Sequence, residues 1–392
     1  MQSKGHFSNA VTKRGVALTL FVALIFCAVT LHAADLPTLA IGAGAPDFSL
    51  PGIDGKTYSL KDFAGSKILL IAFTSNHCPE AQAYEDRLIT LTNDYKSKGV
   101  AVIAINPNSP KGLRLDELGY TDLGDTFPEM KIRAEFKKFN FPYLDDGEKE
   151  DISKAYGPRV TPHYFVFDAD RKLRYQGRMD DNNREDFVTV RDLRNALDDL
   201  LAGKEVKVKT TPTNGCSTKW ASKEDIVKKF MDKLAAEPVS VETIDAEGLK
   251  ALRKNDSGRI RLVDFWDTTC APCMRELPEL VMINRMYRGR RFDFIAVATN
   301  KPDEKGDVED VCKRFQMSNK NYVFGDMDTY KMKAAFDPDW SAANPYTMLI
   351  GTKGEVLYKA NKPVDPLELK RAIVKALMEL NQGAVFDEKK KK

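Results

Sequence analysis

The stretch Val263–Cys273 reads VDFWDTTCAPC and leads from an apolar strand to two cysteines at the start of a helical pattern. Unpaired N–H groups and the helix dipole favour a thiolate at that position, which lowers the pKa of Cys270. Cys273, one turn further along, is close enough to attack a mixed disulfide formed on Cys270. We therefore predict that Cys270 is the attacking sulfur and Cys273 the resolving sulfur of a redox-active pair.

Two other uses of this cysteine pair are considered. A closed zinc site needs four ligands, and this half of the chain offers neither a second cysteine pair nor a histidine cluster. A static structural disulfide between Cys270 and Cys273 stays open as an alternative.

Outward from this stretch, the chain repeats one order of features: an apolar strand, a cysteine before a helix, a second strand, and a proline before a hairpin. In the second copy the strands are residues 261–266 and 292–298, and Pro345 precedes residues 346–350. The first copy has, in chain order, a strand over 68–73, Cys78 before a helix over 79–98, a strand over 100–105, and Pro162 before residues 163–167. In the second copy a helix over 274–288 follows the cysteine pair, and a closing helix follows each hairpin, over 184–201 in the first copy and 365–380 in the second. This order predicts an α/β fold with two mixed sheets in tandem, each flanked by helices.

The length of 392 residues supports two domains, which we place at 40–202 and 238–382. Residues 203–237 are expected to be a linker with a short helix, with 202–214 suited to a linker or an edge strand. Residues 383–392 form a basic tail. The formal net charge is only +3, and three cations fall within residues 1–34, so no nucleic-acid partner is expected.

The N-terminal residues 1–34 have the pattern of a signal peptide: basic residues, an apolar run, then Ala33 and Ala34. We expect export to the periplasm or another extracytoplasmic compartment, with cleavage favoured and a retained membrane anchor as the alternative. Five cysteines then remain, and an odd number in an oxidising compartment indicates at least one free or redox-active thiol.

The segment from Val263 to Pro278 resembles the thioredoxin active site, and the match extends to TlpA/ResA-like thiol-disulfide oxidoreductases over residues 239–382. The resemblance implies that Asp264 is a buried carboxylate that takes the proton from Cys273. It implies that Pro345 is a cis-proline beside the disulfide, where its turned backbone would bind an extended substrate chain. Thr269 stands where cytoplasmic thioredoxins carry tryptophan, so their partner surface and redox potential do not transfer.

The first copy contains Phe73–Pro79, FTSNHCP, with Cys78 at the same strand-to-helix junction. Together with Gly44–Leu60, it resembles the redoxin family of alkyl hydroperoxide reductases and thiol-specific antioxidants, over residues 41–201. Ser75 stands where similar exported proteins have a cysteine, which removes two-cysteine exchange within this motif. The resemblance implies that Ser75 orients a peroxide for Cys78. Ile71, however, replaces the proline with which that family's motif begins.

His77, His163 and Pro162 are expected near Cys78 in this fold. An imidazolium there would lower the pKa of Cys78; alternatively, His77 is a loop residue and His163 a packed strand residue. Cys216 is proposed either as the resolving partner of Cys78 or as a substrate of Cys270. Cys312 is expected to be a buried apolar residue.

Three functions follow in order of preference. The first is an exported thiol-disulfide oxidoreductase acting in cell redox homeostasis on protein disulfide or dithiol substrates, with a membrane electron donor as a further candidate partner. The second is a fused peroxidase in which Cys78 reduces hydroperoxide and the second domain regenerates it. The third is a copper- or zinc-handling or non-catalytic binding module. No cofactor or metal is predicted for the first function. Whether the pair reduces or oxidises depends on a potential that no motif reveals.

Overall fold

The computed structural model describes residues 36–389. Its first half contains a five-stranded sheet, one small two-stranded sheet, a short strand that pairs with the connecting segment, and four α-helices. The elements of this half, in chain order, are β1 (Ser49–Pro51), β2 (Thr57–Ser59), β3 (Ile68–Phe73), α1 (Pro79–Lys96), β4 (Val100–Asn106), α2 (Phe127–Lys137), β5 (Tyr143–Asp145), α3 (Asp151–Tyr156), β6 (Val160–Thr161), β7 (His163–Phe167), β8 (Leu173–Gly177) and α4 (Asp192–Leu201).

The central sheet of the first half has the order β5-β4-β3-β7-β8. Strands β3, β4 and β5 run parallel, whereas β7 and β8 are antiparallel to their neighbours. Every residue of β3 is buried, which explains its unbroken apolar sequence: a central strand covered on both faces has no solvent-facing side.

A connecting segment and the second half follow. Their elements are β9 (Cys216–Ser217), α5 (Glu224–Ala235), β10 (Val241–Ile244), α6 (Ala246–Lys254), β11 (Ile260–Trp266), α7 (Ala271–Tyr287), β12 (Phe292–Ala298), α8 (Lys305–Arg314), β13 (Lys320–Phe324), α9 (Thr329–Phe336), β14 (Tyr346–Ile350), β15 (Val356–Ala360) and α10 (Pro366–Lys389). The second sheet has the order β10-β13-β12-β11-β14-β15. Within the described range, no helix has the length and apolar character needed to cross a membrane.

Each central sheet is covered on both faces by apolar side chains. In the second half, one layer includes Leu262 and Leu277 and the other includes Phe265 and Trp340. The predicted fold class, two tandem thioredoxin-like domains with mixed sheets flanked by helices, is confirmed. Cys312 lies fully buried in the first of these layers, among apolar residues.

Two helices begin at different residues from those expected. Helix α7 begins at Ala271 rather than near residue 274, because Pro272 sits in the first turn, where its missing N–H is not needed. Helix α4 begins at Asp192 rather than near residue 184, because a short 3₁₀ turn at Glu185–Phe187 comes first.

The connecting segment lies against the first half over much of its length. The Gln176 N–H donates to the Lys209 carbonyl, and the Thr211 N–H donates to the Gln176 carbonyl. Further on, β9 pairs antiparallel with β6, with Thr161 opposite Cys216. The edge pairing considered from the sequence for residues 202–214 therefore occurs next to β8.

Candidate redox sites

The first candidate site is the start of α7, where Cys270 and Cys273 are joined by a disulfide. Cys270 occupies the N-cap position, and its Sγ accepts the Cys273 N–H at 3.2 Å. Cys270 is half-buried, whereas Cys273 is completely buried. An incoming chain can therefore reach only the first of the two sulfurs.

Asp264 lies on β11 and is completely buried. One carboxyl oxygen accepts the Thr347 hydroxyl at 2.8 Å, and the other has no hydrogen-bond partner. Burial raises the pKa of Asp264 well above its usual range, and the nearby Glu276 carboxyl raises it further. The carboxylate form of such a group is a stronger base than an exposed carboxylate.

Glu276, which no sequence motif distinguishes, is the second acid near this site. It follows Cys273 by three residues on α7, a spacing that places both side chains on one face of the helix. One of its oxygens accepts the Val364 N–H at 3.0 Å, and burial raises its pKa to about 7. The three-residue spacing is the signal that would have found it.

Pro345 follows a cis peptide bond from Asn344 and directly precedes β14. In the register of the sheet, Tyr346 lies opposite Phe265 and Thr347 opposite Asp264. The proline is therefore at the end of β11 from which the chain continues to Cys270.

The second candidate site is built around Cys78, which precedes α1 at its N-cap position and is completely buried. Its Sγ donates to the Thr161 carbonyl at 3.0 Å and accepts the Cys216 N–H at 3.2 Å. The pKa of Cys78 falls to about 6, chiefly through the hydrogen bond from the Cys216 thiol. Burial opposes this shift, while the Ala81 and Cys216 N–H groups and the His77 charge assist it.

Cys216 therefore lies beside Cys78 although 138 residues separate them in sequence. It is half-buried and is held there by the pairing of β9 with β6. Its hydrogen bond to Cys78 raises the pKa of the Cys216 thiol, and burial raises it further. Of the two partners considered from the sequence, the structure brings Cys216 to Cys78.

His77 forms a buried pair with Asp125, with Nδ1 2.5 Å from the carboxylate. The same carboxylate accepts the N–H groups of Asn76 and His77 and the side-chain amide of Asn108. Burial opposes a charged imidazole, but Asp125 outweighs it and raises the pKa of His77. Nε2 of His77 is buried without a hydrogen-bond partner.

Three further residues named from the sequence lie near Cys78. Ser75 precedes Cys78 by three residues, and Pro162 and His163 follow Thr161, whose carbonyl accepts the Cys78 hydrogen bond. The Ser75 and Thr161 hydroxyls are 2.7 Å apart, and the Thr161–Pro162 bond is cis. His163 makes a 2.9 Å hydrogen bond to Gln176, and burial lowers its pKa to about 4. His163 is therefore neutral near pH 7 and supplies no positive charge, in keeping with a packed strand residue.

A polar cleft of about 280 Å³ opens beside the Cys78 site. Its lining includes Glu80, two residues after Cys78, together with Pro162 and Asn214. In the part of the chain that is described, no group of three or more histidine, cysteine or acidic side chains is arranged to hold a metal ion. The metal-handling alternative therefore gains no structural support within residues 36–389.

Comparisons with known proteins match the two halves separately. A sequence model of the AhpC/TSA family matches residues 41–176, and a model described as Redoxin matches residues 242–377. The thiol-disulfide oxidoreductase ResA of Geobacillus thermodenitrificans is 24% identical over 164 residues, covering 42% of this chain and 84% of that protein. The putative peroxiredoxin Rv2521 of Mycobacterium tuberculosis is 27% identical over 150 residues, covering 34% of this chain and 82% of that protein.

Among solved structures, a hypothetical protein, SMc02350, from Sinorhizobium meliloti is 35% identical. It covers 47% of this chain and 96% of its own, with a TM-score of 0.42.

Proposed function

We propose that the second half of the chain exchanges disulfides with protein substrates through Cys270 and Cys273. The chain belongs to the thioredoxin superfamily and carries two domains of that fold in tandem. One observation carries the proposal: the two sulfurs are bonded to each other, with the accessible one at the start of a helix. Similarity to oxidoreductases such as ResA supports the same chemistry.

The proposed exchange has two steps. In the reducing direction, the Cys270 thiolate attacks a substrate disulfide, so a mixed disulfide forms and one substrate thiolate leaves. Cys273 then attacks Cys270, which restores the disulfide and releases the second substrate thiolate. In the oxidising direction the same bonds form and break in reverse order, again with Cys270 bound to the substrate.

Asp264 is proposed to accept the proton of Cys273 as that thiol becomes a nucleophile. A carboxylate whose charge is disfavoured by burial is a stronger base than an exposed one, which suits this transfer. Glu276 shares this buried environment, so the two acids titrate as an interacting pair. Pro345, at the end of the neighbouring strand, is proposed to offer backbone groups to an extended substrate.

From the signal-like sequence of residues 1–34, we infer that this activity takes place outside the cytoplasm. Residues 1–34 lie outside the part of the chain that the structure describes. The expected partners are protein disulfides or dithiols, and a membrane electron donor is a further candidate.

Reduction of insulin disulfides in the presence of a small dithiol tests the proposal. Wild type and Cys312→Ser should accelerate insulin precipitation, because Cys312 is buried away from any partner. Cys270→Ser should fall to the rate of the dithiol alone. Equal rates for Cys270→Ser and wild type would contradict the proposal.

Reduction of hydroperoxide at Cys78 is the second candidate function. It is favoured by the lowered pKa of Cys78, because the thiolate is the form that attacks peroxide. Peroxide consumption by the full chain should disappear in Cys78→Ser and persist in Cys312→Ser. Consumption that survives Cys78→Ser would exclude this candidate.

A further inference from the structure

The Cys78 site contains two cysteines that the fold brings together from distant parts of the chain. The Cys216 backbone N–H donates to the Cys78 sulfur at 3.2 Å, and the Cys216 thiol lowers the pKa of Cys78. The geometry points to a second, separate redox couple, in which Cys78 and Cys216 form an intramolecular disulfide and Cys216 is the sulfur through which a dithiol reduces it.

The position of Cys216 is fixed by several independent contacts. Gly215, immediately before it, approaches the Thr161 carbonyl so closely that a Cβ would lie 2.0 Å from the oxygen. After it, the Thr218 hydroxyl donates to the Pro158 carbonyl at 2.9 Å. A connecting segment that only spanned two domains would need none of these contacts.

A buried polar network joins the same segment to the His77–Asp125 pair. The Lys219 N–H donates to the Asn108 side-chain carbonyl at 2.8 Å, and the Asn108 amide donates to Asp125 at 2.8 Å. The Lys219 ammonium pairs with Glu117 at 2.6 Å. The segment that carries Cys216 is thereby anchored to the groups that set the charge around Cys78.

The two sulfurs differ in access, and this assigns their roles. Cys78 is completely buried, so no folded protein can reach its sulfur, whereas two of its neighbours, Glu80 and Pro162, line an open polar cleft. Cys216 is only half-buried. A reductant therefore meets Cys216 first.

The oxidising steps start from a hydroperoxide, and only this choice of oxidant rests on the second candidate function above. The Cys78 thiolate attacks the peroxide, an S–O bond forms as the O–O bond breaks, and water or an alcohol leaves after protonation. Cys216 then attacks the Cys78 sulfenic acid; the S–S bond forms, and the sulfenic oxygen leaves as water with the Cys216 proton.

The reducing steps return the couple to its starting state. A dithiol attacks Cys216, the S–S bond breaks, and Cys78 leaves as the thiolate. The second thiol of the reductant then releases Cys216 as a thiol. The Ala81 and Cys216 backbone N–H groups and the His77 charge still stabilise the Cys78 thiolate when the Cys216 sulfur is in a disulfide, which makes Cys78 a good leaving group. Attack at Cys216 is therefore favoured over attack at Cys78.

Peptide mapping under non-reducing conditions tests this couple in the full chain, after one equivalent of hydrogen peroxide or of the thiol oxidant diamide. We expect a Cys78–Cys216 disulfide in wild type and in Cys312→Ser with both oxidants. In Cys216→Ser treated with hydrogen peroxide, we expect a Cys78 sulfenic acid that dimedone traps, a result that does not require the disulfide and also reports a folded site. Treating the oxidised wild type with glutathione should give the mixed disulfide on Cys216.

The remaining outcomes separate this inference from the peroxide candidate. A dimedone adduct on Cys78 of wild type with Cys216 still a free thiol would overturn the couple and leave peroxide reduction in place. A disulfide formed with diamide but not with peroxide would support the couple and overturn hydroperoxide as its oxidant. Glutathione found on Cys78, or a disulfide from either cysteine to Cys270, would overturn the assigned roles.

Discussion

At the scale of single residues, the two sites use the start of a helix in different ways. Cys270 and Cys78 both occupy N-cap positions, but Cys270 is half-buried and Cys78 completely buried. Cys78 also receives hydrogen bonds from Cys216 and lies beside the charge of His77. The first sulfur is therefore suited to large substrates and the second to small ones.

Replacing the acid that pairs with His77 tests the charge around Cys78. Asp125→Asn removes the carboxylate that raises the pKa of His77, so less positive charge should lie beside Cys78 and the pKa of Cys78 should rise above about 6. The ultraviolet absorbance of the thiolate, followed against pH, measures this shift. The protein used has Cys270–Cys273 oxidised and carries Cys27→Ser, which removes the cysteine of the signal-like segment 1–34. Cys312, with a pKa raised to about 12 by burial, does not interfere.

Asp168→Asn, a change on the hairpin of the same half, serves as the control and should leave the midpoint unchanged. An unchanged midpoint in Asp125→Asn would show that the histidine charge does not act on Cys78.

Glu276 makes stability depend on pH. Its folded-state pKa of about 7 is above the ordinary value of 4.5, so the folded state binds more protons than the unfolded state between these two pH values. Stability should therefore fall as pH rises from about 4.5 to 7, by at most about 3 kcal/mol. Urea unfolding at pH 5 and pH 8 should show a smaller fall for Glu276→Gln than for wild type. An equal fall in both proteins would contradict this account.

At the scale of elements, the repeated strand-to-helix motif explains what the sequence could predict. The apolar runs at Ile68–Phe73 and Phe294–Ala298 are continuous because both strands are central, so the bounds of β3 and β12 agree with those expected. Short elements such as β5 and β9 have no such pattern. Their partners lie far away in the chain, so only tertiary pairing defines them.

The connecting strand β9 gives a prediction at this scale. A Cβ at Gly215 would collide with the Thr161 carbonyl, so Gly215→Ala should displace β9 and destabilise the protein by about 2 kcal/mol. The Cys78 thiolate midpoint should rise as well, because Cys216 would leave its sulfur. Gly65→Ala, where a Cβ meets open space, is the matched control. An equal thiolate midpoint of Cys78 and an equal free energy of unfolding in both variants would contradict the described position of β9.

At the scale of the whole molecule, α7 links the redox disulfide to the first half. It begins directly after Cys270 and ends at Tyr287, whose hydroxyl donates to the Thr121 carbonyl at 2.7 Å. Nearby, Arg371 contacts Asp122 at 3.1 Å. The two halves are therefore joined by one buried and one partly buried polar contact.

This interface can be measured through a single hydroxyl. Tyr287→Phe leaves the Thr121 carbonyl without its buried donor and should lower the free energy of unfolding by about 1 kcal/mol. Tyr330→Phe, at a tyrosine that is 80% exposed, should change it by much less. Urea unfolding of both variants decides the matter; identical midpoints would count against the contact.

The fold class and the cysteine pair can be predicted from the sequence, because periodicity and motif spacing are local signals. It did not reveal Asp125, which reaches His77 across 48 residues, nor the buried environment that raises the pKa of Glu276. The sequence suggests Cys216 as one possible partner of Cys78. Its position depends on the pairing of β6 with β9, and strands of two residues are too short to show a recognisable sequence pattern.

The central claim is that Cys270 attacks the substrate and Cys273 releases it. The most direct test is to mix reduced Cys273→Ser with a disulfide-bonded protein and to map the trapped product by mass spectrometry. The account predicts a stable mixed disulfide on Cys270, absent from Cys270→Ser/Cys273→Ser. A product attached through Cys78 or Cys216, or no trapped product, would contradict it.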